Sequence, residues 1–281
     1  MIRTLCLVYP DMTPLPEWFA KISSLPSDPV LLPPLGLLYV AASTRREVAV
    51  LDNRVERLDL EALLERLAGF DAVGFSGTIF EADQALAAAR RLGEIGIPTI
   101  YGGPNASANW DLYPGTFTAI VRGEGELVLD ALLDALEAGR RPPEFEEWTG
   151  TWVNPHPARI EALDALAWPD RGLIPLERYH RREAVYLPGL EPVDTVVSSR
   201  GCPFACSFCS SQVLWGRRAT MRAAQAVVAE MRHLAGRWGT QAVYFREDNF
   251  TASRARLLEF CRAAGALGMP WLCESDRKSV V

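Results

Sequence analysis

Residues 48–78 read "VAVLDNRVERLDLEALLERLAGFDAVGFSGT". A first apolar run, VAVLD, has strand length, and a second, AVGFS, closes the stretch. Between them leucines at 60, 63, 64 and 67 recur at helical spacing and make one face. The two flanking runs are apolar throughout instead of alternating, as strands covered on both faces are. Strand, helix, strand is the unit from which parallel sheets are built.

Working outward, the same alternation fills residues 1–140. TLCLVY (4–9) precedes the unit, and PTIYG (98–102) and TAIVR (118–122) follow it. The helical segment EADQALAAARRLGEIG ends at a glycine with Pro98 just beyond, and EGELVLDALLDALEAG starts acidic and stops at Gly139. This predicts an α/β domain with a doubly wound parallel sheet of the flavodoxin or Rossmann type. From 141 to 192 the pattern dissolves. Prolines recur at 142, 143, 155, 157, 169, 175, 188 and 192, with Trp148, Trp152 and Trp168 among them. This stretch reads as an interdomain connector that partly packs, because exposed tryptophans are costly. Alternation resumes over 193–281: VDTVVSS (193–199), a helix in TMRAAQAVVAEMRHLAGRWG, QAVYF (241–245), a helix in SRARLLEFCRAAGALG, and PWLCE (270–274).

The composition is that of a globular chain, 49% hydrophobic and 23% charged over 281 residues, enough for two domains. A net charge of −6 gives no electrostatic case for nucleic acid. Arg217, Arg218 and Arg222 cluster locally, which suits anion binding or a solvated helix start. The apolar stretch Val30–Ala42 is broken by Pro33-Pro34 and is shorter than the roughly 20 residues that span a bilayer. The N-terminal apolar run is too short for a secretory signal. A cytoplasmic protein with no membrane partner is expected. In that compartment six cysteines are not expected to pair as disulfides. Cys6, Cys261 and Cys273 lie scattered in apolar segments and read as buried structural thiols.

Cys202, Cys206 and Cys209 differ. They stand in a C-x3-C-x2-C spacing directly after the strand at 193–199, with Gly201 at the bend. Such a loop can hold zinc, an iron–sulfur cluster, or nothing. Structural zinc takes four ligands, and His156, His180 and His233 have no ligand-like spacing to the loop. A [4Fe–4S] cluster held by three thiolates leaves one iron open to a small molecule. Three unligated thiols on an exposed loop would invite oxidation.

RGCPFACSFC (200–209) resembles the signature of radical S-adenosylmethionine (SAM) enzymes, including the aromatic Phe208 before the last cysteine. The resemblance implies a full or partial (β/α)6 barrel, of which this chain holds the first three β/α units. It implies that Cys202, Cys206 and Cys209 ligate the cluster and that SAM chelates the open iron. SAM then breaks to methionine and a 5′-deoxyadenosyl radical. Phe208, Glu247 and Asp248 of YFREDNF (244–250), and Glu274 of WLCES (271–275), are implied SAM contacts, with Asn249 beside them. N-capping of the next helix by Asp248 or Asn249 competes with that role.

In the N-terminal half, PPLGLLYVAAS (33–43), DAVGFSGT (71–78), YGGPNAS (101–107) and VRGEGE (121–126) follow the order seen in cobalamin-binding domains fused to radical SAM domains. By that resemblance Ser76, Gly77, Thr78, Gly102, Gly103, Gly123 and Glu124 contact cobalamin. Glycines at strand-to-helix turns also serve any doubly wound sheet. No histidine precedes His156, so cobalamin is expected without a histidine lower ligand. Relatives often place histidine near GGPN, where this chain has Asn105.

The family resemblance implies an enzyme, foremost a methyltransferase acting on carbon or phosphorus, with cyclisation or rearrangement as the alternative. A small-molecule or natural-product substrate is implied, with an electron donor such as flavodoxin or ferredoxin. Because the strands stop after the third, the chain reads as a truncated remnant, as one subunit of a split enzyme, or as half of a barrel completed by a second chain.

Overall fold

The computed structural model describes residues 1–12, 32–179 and 189–276. Val30, Leu31, His180, Pro188 and the final five residues of the sequence reading lie outside them. The described residues form two compact units. One holds 1–12, Gly36–Arg159 and Pro169–Leu176; the other holds 32–35, Ile160–Trp168 and the rest from 177 on.

The first unit carries a seven-stranded sheet in the order β2-β1-β3-β4-β5-β7-β6. Its strands are β1 (Thr4–Tyr9), β2 (Glu47–Asp52), β3 (Ala72–Ser76), β4 (Thr99–Gly102), β5 (Ala119–Ile120), β6 (Glu146–Trp148) and β7 (Thr151–Val153). All pairs are parallel except β6 with β7. Along β1, Cys6 and Val8 enter one core while Leu5 and Leu7 enter the other, the period-2 alternation of a strand with both faces apolar. Helices α3 (Leu60–Leu67) and α4 (Ala82–Glu94) supply Leu63, Leu67, Ala85, Ala88, Ala89 and Leu92 to the first core. On the other face α1 (Leu35–Ser43) and α6 (Leu129–Glu137) supply Leu37, Ala41, Leu129, Leu132 and Leu133. The short α2 (Asn53–Glu56) and α5 (Gly103–Ala108) follow β2 and β4. This is the doubly wound α/β arrangement expected.

The proline-rich stretch holds a feature absent from the sequence reading. Residues 146–153 form a hairpin that extends the sheet, with Trp148 opposite Thr151 across a two-residue turn. Thr149 and Gly150 both have positive φ, +46° and +82°, as a turn matching strand twist requires. Trp148 meets Trp110 edge-on at 5.0 Å, and Trp152 packs on the second core.

The second unit is built on a parallel three-stranded sheet, β12-β11-β8, from β8 (Val193–Val196), β11 (Ala242–Phe245) and β12 (Trp271–Cys273). Helices α8 (Ala224–Trp238) and α9 (Arg254–Gly265) cover one face, where Val196, Val243 and Phe245 meet Val227, Met231, Leu234 and Phe260. Val193, Ala242 and Tyr244 line the other face. A two-stranded ladder of β9 (Ser199–Arg200) and β10 (Thr220–Met221) flanks the cysteine loop, which contains the short α7 (Ser211–Trp215). No described helix is long and apolar enough to cross a membrane.

Candidate functional site

In the first unit the candidate residues sit on the loops after β3, β4 and β5, adjacent strands whose carboxyl ends point the same way. That is where open parallel sheets bind ligands. The loops are stitched to one another. Thr78 gives both its N–H and its hydroxyl to the buried Glu81 carboxylate at 2.7 Å, closing a capping box after β3. Gly103, at φ +84°, lies so close to Ser76 that a Cβ would stand 2.2 Å from its hydroxyl. Ser107 donates to the Gly103 carbonyl at 2.8 Å and accepts from the Gly123 N–H at 2.9 Å. Gly123 faces its own chain: a Cβ there would lie 2.3 Å from the Ala158 carbonyl oxygen. Glu124 is buried, and its N–H donates to the same carbonyl at 3.0 Å. Gly102 keeps room, with nothing closer to a would-be Cβ than 3.9 Å.

These contacts account for the glycines at 103 and 123 without a ligand. The loops nevertheless offer apolar surface at that end of the sheet. Ile79 and Phe80 after β3, and Leu127 after β5, are each more than half exposed. No sequence signal marked these three, because an exposed apolar residue looks in sequence like a buried one. Asn105 is a core residue: its amide donates to the Tyr101 and Tyr113 hydroxyls at 2.7 and 2.6 Å. Burial pushes the Tyr101 phenol well above its ordinary range.

In the second unit the cysteine loop leaves β9 at Gly201, whose φ is +86°. Cys202 is half-buried, Cys206 and Cys209 are exposed, and none is in a disulfide. The Cys209 N–H donates to the Cys206 carbonyl at 3.1 Å, which turns the chain between the last two thiols. Phe208 stands out in solvent at 91% exposure, with Phe204 half-exposed. Among the described residues no three His, Cys, Asp or Glu side chains already converge at metal-holding distance. The donor set on this loop, three accessible thiols, suits a soft metal centre such as an iron–sulfur cluster.

Glu247 is buried and both its carboxylate oxygens are occupied. One accepts the Ser198 and Ser199 N–H groups at 2.6 and 2.8 Å, the other the Ser198 hydroxyl at 2.9 Å. Burial pushes its carboxyl above the ordinary glutamate range, while those donors and the Arg256 guanidinium pull it back. Asp248 is exposed and accepts the Gly201 N–H at 3.1 Å. Asn249 accepts from the N–H and hydroxyl of Thr251, and the α9 cap is Ser253, so neither Asp248 nor Asn249 caps that helix. Glu274 is half-exposed beyond β12. It accepts the Tyr244 hydroxyl at 2.7 Å and pairs with Arg246 at 3.0 Å. Desolvation, seconded by Glu274, raises the Tyr244 phenol.

Two readings of the sequence are corrected. Cys261 is exposed on α9 and only Cys6 is buried outright; Cys273 is intermediate. The arginine cluster divides: Arg218 pairs with Glu161 at the surface at 3.2 Å, whereas Arg222 is buried against Glu230.

Residues 28–133 match the family model of the B12-binding domain. An uncharacterized methyltransferase of Pyrococcus horikoshii is 30% identical over 81% of this chain and 51% of its own length. The hopanoid C-2 methylase of Rhodopseudomonas palustris is 29% identical over 92% of this chain and 45% of its own. The chain carries a B12-binding domain and is similar, over most of its length, to radical SAM methyltransferases and related enzymes. It spans about half the length of the curated relatives it matches. A similar fold is seen in TsrM of Kitasatospora setae, a radical SAM methyltransferase solved with cobalamin and a [4Fe–4S] cluster. That structure superposes with a TM-score of 0.66 at 20% identity, covering 93% of this chain and 52% of its own. The first unit thus carries the sheet of the B12-binding domain, and β8, β11 and β12 with their helices have the fold of the opening β/α units of a radical SAM partial barrel.

Proposed function

We propose that this chain supplies the cobalamin-binding half and the cluster-binding start of a cobalamin-dependent radical SAM enzyme, foremost a methyltransferase. One observation carries the reading: the C-x3-C-x2-C loop follows the first strand of a parallel β/α unit in a chain whose residues 28–133 match a B12-binding domain. Methyltransferases among the relatives support methyl transfer. An anaerobic magnesium-protoporphyrin IX monomethyl ester cyclase of Rubrivivax gelatinosus, 28% identical, keeps ring formation as the second reading.

In this proposal Cys202, Cys206 and Cys209 hold the cluster, and the exposed ring of Phe208 and the carboxylates of Asp248 and Glu274 face SAM. The loops at Ser76–Thr78, Gly102-Gly103 and Gly123-Glu124 cradle cobalamin, with Ile79, Phe80 and Leu127 covering apolar corrin edges and excluding water. No histidine is available in 1–155 as a lower ligand. When bound, the cluster with SAM supplies a 5′-deoxyadenosyl radical, and methylcobalamin supplies a methyl group for an unactivated carbon or a phosphorus centre. The protein's part is to orient these groups and keep the site dry. A small-molecule substrate, a flavodoxin or ferredoxin donor, and a cytoplasmic setting complete the proposal.

The test is anaerobic reconstitution of the chain with iron, sulfide and hydroxocobalamin, followed by SAM and a strong reductant. 5′-Deoxyadenosine that disappears in Cys206→Ala is expected, and S-adenosylhomocysteine beside it would mark methyl transfer. Zinc bound without inorganic sulfide would overturn the cluster assignment.

A further inference from the structure

The segment from Val196 to Gly201, which delivers the chain to the cysteine loop, is held almost wholly by groups from elsewhere in the unit. Glu247 takes the Ser198 and Ser199 N–H groups, and Asp248 takes that of Gly201. On the carbonyl side, the Arg246 N–H donates to Val196 at 3.1 Å and the Arg222 guanidinium to Val197 at 3.0 Å. The Ser198 carbonyl accepts both the Arg222 N–H at 2.9 Å and the Arg256 guanidinium at 3.0 Å. Arg256 also donates to the Arg222 carbonyl at 3.0 Å, tying α9 to the strand beyond the loop.

Opposite charges interleave in this cradle. Buried Glu247 and Glu230 face Arg222 and Arg256, with Asp164 at 3.6 Å from Arg222. A buried ionic network is a poor source of stability, since apolar side chains of the same volume do as well or better. What it provides is direction: each donor and acceptor fixes one backbone group in one place. The cysteine loop needs that. Cys206, Phe208 and Cys209 are exposed, so the outer part of the loop has little packing of its own to set its geometry. A metal-binding constellation depends on support of this kind behind it.

We infer that Glu247 and Arg256 are positioning residues for the cysteine loop, acting through Ser198–Gly201, and that Glu247 is not a SAM contact. The cluster as the loop's cargo rests on the proposed function; the positioning itself does not.

The experiment has two arms. In the metal-free chain, amide hydrogen exchange at Ser198 and Ser199 and the alkylation rates of Cys202, Cys206 and Cys209 are compared between wild type and Glu247→Gln. Loss of a charged acceptor predicts roughly tenfold to hundredfold faster exchange at the two serines. After reconstitution, the EPR g-values and midpoint potential of the cluster are expected to shift and iron per chain to fall, with the SAM dissociation constant little changed. Arg256→Lys, which keeps the charge but loses the fork, is expected to move the same signals less. Unaltered exchange and EPR with weakened SAM binding would overturn the inference. A wild-type chain that loads no iron would refute the proposed function alone, leaving exchange and alkylation to decide the positioning role. Should Glu247→Gln not fold, Arg256→Lys decides: changed alkylation rates of the three cysteines in the metal-free chain support the positioning role, and unchanged rates reject it.

Discussion

Gly201 and Gly139 look alike in sequence, each closing an element where a left-handed residue is wanted. Their surroundings differ. A Cβ on Gly201 (φ +86°) would stand 2.2 Å from the Arg218 carbonyl oxygen and 2.9 Å from Trp215 Cβ, whereas one on Gly139 (φ +61°) meets nothing within 4 Å. Gly139→Ala is therefore expected to cost about 1 kcal/mol, the left-handed penalty alone. Gly201→Ala should cost at least about twice that, because backbone must move. Urea unfolding of both variants checks this, and equal losses would remove the steric account. The same contrast runs through the candidate sites. The cysteines were legible because their spacing is itself the signal. The cradle of Arg222 and Arg256 was not, because their partners lie 8 to 58 residues away in sequence.

For the elements, helical and strand periods identified nearly every long segment of both units, since apolar spacing records which face is buried. The short pieces escaped: the 146–153 hairpin turns on Thr-Gly, a weaker signal than Asn-Gly, and β9 and β10 each hold two residues. In the second unit α9 is secured by one ring. Phe260 is fully buried and meets Phe245, Phe250 and Trp271 at centroid distances of 5.2 to 5.3 Å. Phe260→Ala should cost about 3–5 kcal/mol, whereas Leu258→Ala on the exposed side of the same helix should cost less than about 1 kcal/mol. Denaturant titration followed by far-ultraviolet dichroism reads both. A small loss at Phe260 would mean that the neighbouring rings close the cavity.

For the molecule as a whole, alkaline pH acts through buried thiols and phenols, two of them on β1. Burial pushes the Cys6 thiol up to about 12 and the Tyr9 phenol likewise to about 12. A group whose pKa is raised by folding stabilises the native state below its unfolded value and loses that contribution as pH rises toward the folded one. Global stability should therefore fall as pH climbs from about 9, by about 1.4 kcal/mol per unit from Cys6 alone. Urea midpoints at pH 8, 9 and 10 are expected to decline in wild type and to decline less in Cys6→Ala. An equal decline in the two would assign the effect to Tyr9 or to other groups.

By itself the sequence determined the α/β class, the parallel sheets, the thiol loop and the resemblance to radical SAM proteins with a cobalamin domain. Those features are written in periods and spacings of neighbouring residues, where local sterics and one-sided burial leave their mark. Only the tertiary structure decided which polar groups are spent on the fold. Nothing in the sequence around Glu247 announces that it accepts the Ser198 and Ser199 N–H groups, and nothing around Gly123 announces that its backbone lies against Ala158. A hydrogen bond is a relation between two atoms, and when the second comes from a distant strand the first carries no sign of it.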